Sequence, residues 1–168
     1  MCKLDHPFVM NPVEVYFSPM EQVLNLVVPF YEGGEVQRQI DERENLDECD
    51  CANIIYQLLL ALNYMHSKQI SHGDLKPENQ VFETRFKSGE LPFTRLIDFG
   101  FAVDKNDMLY KRHGIKSTEF GTPIYMAPEK LYNKPLEEKS DIWSVGIMAF
   151  YMLSGMPPFW SDSEERLF

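Results

Sequence analysis

Cysteine is scarce in this chain. Its 168 residues hold three, Cys2, Cys49 and Cys51. Their spacing matches neither a zinc site nor the even framework of a stapled secreted domain. Reduced structural thiols and a cytoplasmic, intracellular setting are the expectation. No run of about twenty apolar residues is present, so no membrane span is predicted. The residues after Met1, Cys2-Lys3-Leu4-Asp5-His6-Pro7, lack the apolar core of a secretion signal. Internal repeats and low-complexity tracts are missing too, which excludes solenoids and disordered linkers. Positive charge is short: 16 Lys and Arg stand against 26 Asp and Glu, a net charge of -10. Such a surface repels phosphate backbones, so no nucleic-acid partner is expected. It suits either basic partners and basic peptide substrates or plain solvation, and charge alone does not choose between them.

What is present suffices for a core. Hydrophobic residues make up 44% and charged ones 25%, the balance of one globular domain. Residues 13–17 alternate and are β-rich, a strand signal. Ser18-Pro19-Met20-Glu21 is a turn, and residues 23–28 read as a second strand antiparallel to the first. Pro29 stops it, Gly33-Gly34 gives a flexible break, and the chain then changes from strand to helix character. Residues 47–66 predict a strong helix, because Ile54, Ile55, Leu58, Leu59, Leu62 and Met65 recur at three- and four-residue steps. Asp47 is its expected N-cap, with Asp50 helping the first turn. Residues 80–82 and 95–97 read as short strands around a loop over 84–93. Residues 140–153 predict a helix capped by Ser140, with Asp141 in its first turn, and apolar on nearly every face. Such a helix is expected to be buried all round. Gly155 and Pro157-Pro158 end it.

Chemistry concentrates in three places. Ile70-Ser71-His72-Gly73-Asp74-Leu75-Lys76-Pro77-Glu78-Asn79 comes first, then Asp98-Phe99-Gly100, then Gly121-Thr122-Pro123-Ile124-Tyr125-Met126-Ala127-Pro128-Glu129. Taken singly, Asp74 or Asp98 would be a turn residue, and Lys76 a solvated lysine. In this order and spacing they resemble the catalytic loop, metal-binding loop and end of the activation segment of protein kinases. Lys76 and Thr122 match the serine/threonine pattern rather than the tyrosine one. Leu153-Ser154-Gly155-Met156-Pro157-Pro158-Phe159 looks like the calcium/calmodulin-dependent group, although no EF-hand calcium loop is present.

The resemblance implies an α+β, protein-kinase-like fold: a small-lobe remnant over residues 1–28, a hinge over 29–35, and most of a mainly helical large lobe over 36–168. It implies transfer of the ATP γ-phosphate to serine or threonine of protein substrates, with Mg²⁺. Asp74 is then the catalytic base. Lys76 neutralises charge on the moving phosphoryl group, and Asn79 and Asp98 are the metal ligands. Gly100 would let the loop behind Asp98 turn sharply. Around the nucleotide the resemblance puts Val28, Pro29, Tyr31, Glu35, Val81 and Asp98. Val28 is a small gatekeeper, Pro29 gives a carbonyl, Tyr31 gives an N–H, and Val81 is the floor under adenine. Val28 and Val81 are expected to be buried. Toward the peptide substrate it puts Thr122, together with Glu35 and Glu78, which contact arginine in members that prefer basic substrates.

Two departures stand out. Gly73 occupies the position where most kinases carry an arginine that pairs with an activation-segment phosphate. Ser117 and Thr118 lie where such a phosphate would sit, Thr118 being the better match. Weak dependence on loop phosphorylation is expected, and glycine could loosen the catalytic loop. Secondly, the glycine-rich loop, the phosphate-binding lysine and its glutamate partner fall outside these residues, as does the arginine that usually pairs with Glu129. Glu129 is therefore expected to lack its buried partner. A pseudokinase, or a kinase fragment acting as an interaction module, is the alternative. Apolar surface around residues 140–153 predicts poor solubility.

Overall fold

The computed structural model describes residues 4–107, 121–131 and 137–161. The two β-rich runs pair as read. Glu14–Ser18 (β1) and Val23–Val27 (β2) form an antiparallel hairpin with Glu14 opposite Val27 and Ser18 opposite Val23. A two-stranded ribbon covers neither of its faces. Tyr16, Phe17, Leu24 and Val27 accordingly stay open, and so does Val28, at 43% exposed, against the burial expected of it. No second layer of described residues lies on that end of the hairpin.

The rest is built on one long helix. Gly34–Glu35 (β3) leads into Val36–Arg43 (α1) and then Glu48–Ser67 (α2). The glycine pair is less free than its composition suggests, because Gly34 is paired with Phe82 in a sheet. Asp47 caps α2 through Oδ1, which accepts the Cys49 N–H at 2.8 Å. Ile54, Leu58, Leu62 and Met65 bury one face, while Leu59 is 39% exposed. Each such side chain contributes about 1.5–3 kcal/mol of burial. Polar groups on the same helix reach across to the next layer. Gln57 Nε2 donates to the Pro92 carbonyl at 2.6 Å, and its Oε1 accepts the Thr94 N–H at 2.8 Å. Asp50 accepts from Ser88 Oγ at 2.7 Å. The 84–93 loop is thereby tied to α2.

Short strands follow. Ile70–Ser71 (β4) pairs with Val103–Asp104 (β7), and Gln80–Phe82 (β5) lies between β3 and Thr94–Leu96 (β6), all antiparallel. Strand β6 sits one residue earlier than its pattern predicts, although the Ile97 N–H still meets the Asn79 carbonyl, opposite it in the same register, at 2.9 Å. Pro128–Leu131 (α3) and Glu138–Ser154 (α4) complete the described elements.

Helix α4 differs from its reading in two ways. It starts two residues early, with Glu137 as a cap that makes no side-chain bond. Ser140 lies inside the helix and donates to Glu129 Oε1 at 3.1 Å, so a neutral hydroxyl, not a cation, meets this carboxylate among the described residues. Burial is also one-sided. Val145, Ile147, Met148 and Met152 join the core against α2, but Ile142, Trp143, Phe150 and Leu153 remain exposed. Gly155, in the left-handed region, closes α4 with its N–H on the Tyr151 carbonyl.

Candidate active site

The loop from His72 to Asn79 leaves β4 and is nearly sealed from solvent. His72, Asp74 and Asn79 are 0%, 6% and 5% exposed. A buried loop must place its backbone polar groups somewhere, and Asp141 of α4 takes two of them. Its Oδ2 accepts the His72 N–H at 2.9 Å, and its Oδ1 accepts the Gly73 N–H at 3.0 Å. His66, from the end of α2, meets the same Oδ2 through Nε2 at 2.8 Å. On the other side the Gly73 carbonyl accepts from Lys130 Nζ at 2.7 Å. Gly73 has φ 83°, where a side chain would be strained. The glycine therefore does not loosen the loop: its peptide groups are bound on both sides.

Four of the expected residues form one hydrogen-bonded cluster. Asp74 Oδ1 accepts the Thr122 N–H at 2.8 Å and the Thr122 hydroxyl at 3.1 Å. Lys76 Nζ lies 3.2 Å from Asp74 Oδ2 and donates to Thr122 Oγ1 at 3.0 Å. Asn79 Nδ2 donates to the Asp74 carbonyl at 2.8 Å and, more loosely, to Asp74 Oδ2 at 3.4 Å. The 3-10 turn Pro77–Asn79 brings Asn79 back onto Asp74. Thr122 arrives from the other direction, held in place as Ser144 of α4 donates to the Tyr125 carbonyl at 2.7 Å.

The other expected residues lie around this cluster. Asp98 is exposed, and its neighbour Ile97 gives its N–H to the Asn79 carbonyl. The sharp turn there is made by Asp98 itself, with φ 57°, rather than by Gly100. Gly100 instead gives its N–H to Asp98 Oδ1 at 3.0 Å, the local bond that lets an aspartate adopt this conformation. Val81 is buried and lies opposite Glu35 across β3 and β5. Burial pushes the Tyr31 hydroxyl pKa up, with Arg95 lowering it and Glu83 adding to the rise. Val28 and Pro29 follow β2 and make no hydrogen bond to the cluster among the described residues. Glu78 keeps Oε2 buried and without a partner among the described residues. Burial and then the Glu78 charge push the Tyr125 hydroxyl well above its ordinary range. Ser117 and Thr118 lie outside the described residues. No three His, Cys, Asp or Glu side chains among those described stand close enough to hold a metal by themselves. Asn79 and Asp98 offer a pair of oxygen donors, the set suited to a cation that takes its remaining ligands from phosphate and water.

A protein kinase domain model matches residues 1–168. The chain belongs to the protein kinase domain family. Serine/threonine-protein kinase 33 of Mus musculus is 36% identical over 168 residues, covering 98% of this chain and 33% of that protein. The calcium/calmodulin-dependent protein kinase type 1 of Macrobrachium nipponense is 34% identical, over 99% of this chain and 45% of its own length. The type II enzyme of Caenorhabditis elegans is 37% identical, over 99% of this chain and 22% of its own length. The kinase chain thus spans less than half the length of these curated relatives. Protein kinases as a family use ATP and Mg²⁺ and act on protein substrates. Among the described residues no helix is long and apolar enough to cross a membrane.

Two residues of this kinase chain escaped the motif reading. Asp141 reads as a first-turn helix acid, yet it is 2% exposed and holds the backbone of the loop at His72 and Gly73. The signal was available, since it is the sole carboxylate in the apolar run from Ser140 to Ser154, and a buried carboxylate needs partners. Lys130 gave no such signal, because a lysine on a short surface helix is ordinarily solvated.

Proposed function

We propose that the protein carrying this chain transfers the γ-phosphate of ATP to serine or threonine hydroxyls of proteins. The observation that carries the reading is the Asp74–Thr122–Lys76 triangle, with bonds of 2.8 to 3.2 Å. Phosphoryl transfer asks little covalent chemistry of the protein and much positioning of charge. Asp74 Oδ2 is the oxygen not committed to Thr122 and is the one to receive the proton of an incoming substrate hydroxyl. Lys76 stands beside it as the cation for the equatorial oxygens of the moving group. Bound ATP with Mg²⁺ supplies the transferable phosphoryl group and the metal charge that offsets it. Asn79, whose Nδ2 is engaged by Asp74, has its carbonyl oxygen for that metal, and Asp98 has Oδ2 beside the Oδ1 used by Gly100. Val28, Pro29, Tyr31, Glu35 and Val81 are the residues proposed to border the nucleotide, with hinge and lobes as assigned above.

Basic peptide substrates fit this site best. The Glu78 oxygen that is buried and without a partner among the described residues is what an arginine guanidinium would satisfy, and Glu35 is exposed at the rim. The test is transfer of labelled phosphate to peptide libraries that vary the acceptor and its flanking residues, with Asp74→Asn as control. Transfer to serine and threonine, favouring flanking arginine and lost in the control, is expected. Tyrosine transfer would overturn the specificity. Absence of Mg²⁺-dependent ATP binding would overturn the enzyme reading and leave an interaction module.

A further inference from the structure

Lys130 is 4% exposed, although it sits on the four-residue helix α3 with four methylenes that could carry its ammonium to water. A buried cation is costly unless it is paired and hydrogen-bonded. Its Nζ turns inward and donates to the Gly73 carbonyl at 2.7 Å. Burial lowers its pKa, while the Asp141 and then the Asp74 carboxylates work to keep it charged.

The ammonium also sits against a second segment. At Gly121 a Cβ would come within 3.1 Å of Lys130 Nζ and 3.3 Å of the Gly73 oxygen. Any side chain there would press on this contact. The next residue, Thr122, gives its N–H to Asp74. Three segments therefore meet at one charge: the catalytic loop, the stretch entering Thr122, and α3.

The contact acts on the peptide that leads into Asp74. The Gly73 carbonyl and the Asp74 N–H belong to one planar unit. Lys130 holds its oxygen, and His72 Nδ1 accepts its N–H at 3.3 Å. Asp141 holds the preceding N–H. With both ends of that plane fixed, the rotation of the Asp74 side chain starts from a defined frame.

We propose that Lys130 is a positioning residue for Asp74, its ammonium holding the Gly73–Asp74 peptide plane and so aiming the carboxylate. The role in turnover rests on the kinase reading; the contact itself does not. The cation is part of the chain, so the catalytic loop is braced from α3 without a phosphate.

Hydrogen exchange on Lys130→Met, which keeps length and removes charge and donor, tests the contact without needing turnover. Exchange across residues 71–76 and 121–123 is expected to rise at least tenfold, with α2 unchanged. Unchanged exchange in the loop, or a uniform rise that includes α2, overturns the proposal. If Lys130→Met does not fold, Lys130→Gln, which keeps an N–H donor, is read the same way, with the same selective pattern expected at smaller extent. In peptide phosphorylation, kcat is expected to fall at least tenfold with KM for ATP within twofold, and a loss confined to KM overturns it. An inactive parent chain with the selective exchange pattern would mean that the kinase reading fails and this inference stands.

Discussion

Asp141 Oδ1 accepts the Gly73 N–H at 3.0 Å, so a helix in the core carries the residue before Asp74, the proposed catalytic base. The same carboxylate takes the His72 N–H and meets His66. In Asp141→Ala the two buried N–H groups lose their acceptor, at about 1–3 kcal/mol each. With His66 also stripped of its partner, a loss of about 3–5 kcal/mol is expected, as for other broken buried networks. Urea unfolding midpoints of the two chains give the difference. A loss under about 1 kcal/mol would show that water replaces the carboxylate and that the strut is dispensable.

Thr122 supplies two different contacts to Asp74, one from its backbone and one from its hydroxyl. Thr122→Val keeps the first and deletes the second, together with the bond from Lys76. A hydrogen bond to a charged group is worth about 1.5–3 kcal/mol. Full expression of that in the transition state corresponds to roughly a ten- to hundredfold fall in kcat. Thr122→Ser keeps the hydroxyl and is expected to stay close to the parent. Equal rates for the Val and Ser variants would refute a role for the hydroxyl.

How much of this was legible beforehand depends on how local each signal is. The helix over 48–67 shows itself through periodicity and a cap, both carried by adjacent residues, and its boundaries match within one residue. The cluster of Asp74, Lys76, Asn79 and Thr122 was found because the motif holds three of the four within six residues. What stayed hidden is non-local. Ser140 looks like a cap until Glu129 is known to lie beside it and α4 is seen to start at Glu138. Val28 looks like core until the hairpin is seen to lack a covering layer. Lys130 looks solvated because nothing along the chain tells that Gly73 will be 2.7 Å away.

Thr118 lies outside the described residues, yet the loop it would regulate does not. Gly73 brings no cation to receive a phosphate there. Its peptide groups are already held by Asp141 and Lys130. Thr118→Ala is accordingly expected to change peptide phosphorylation by less than about twofold, since the charge-assisted anchor that would make a phosphate matter is missing. Ser117→Ala is the matched control. A tenfold or greater loss in the Thr118 variant alone would mean that another basic group receives the phosphate.

His72 gives the stability a pH dependence of definite sign. Burial lowers its pKa from 6.5, against the opposing pull of Asp141 and smaller contributions from the Ile97 carbonyl, Asp74 and Asp98. Its ring is used neutral, with Nε2 donating to the Ile97 carbonyl at 3.1 Å and Nδ1 accepting the Asp74 N–H. Below pH 6.5 the unfolded chain takes up a proton that the folded chain refuses. The unfolded state then binds more protons, so stability rises with pH through this window and falls as pH drops. For one group the slope approaches about 1.4 kcal/mol per pH unit at most. His6 is also lowered by burial, but it is common to parent and variant and cancels in their difference. Urea midpoints of the parent and His72→Gln between pH 7.5 and 5 should therefore converge as the pH falls. Parallel curves would mean that the folded chain accepts the proton after all, with the imidazolium paired to Asp141 and the bond to the Asp74 N–H lost.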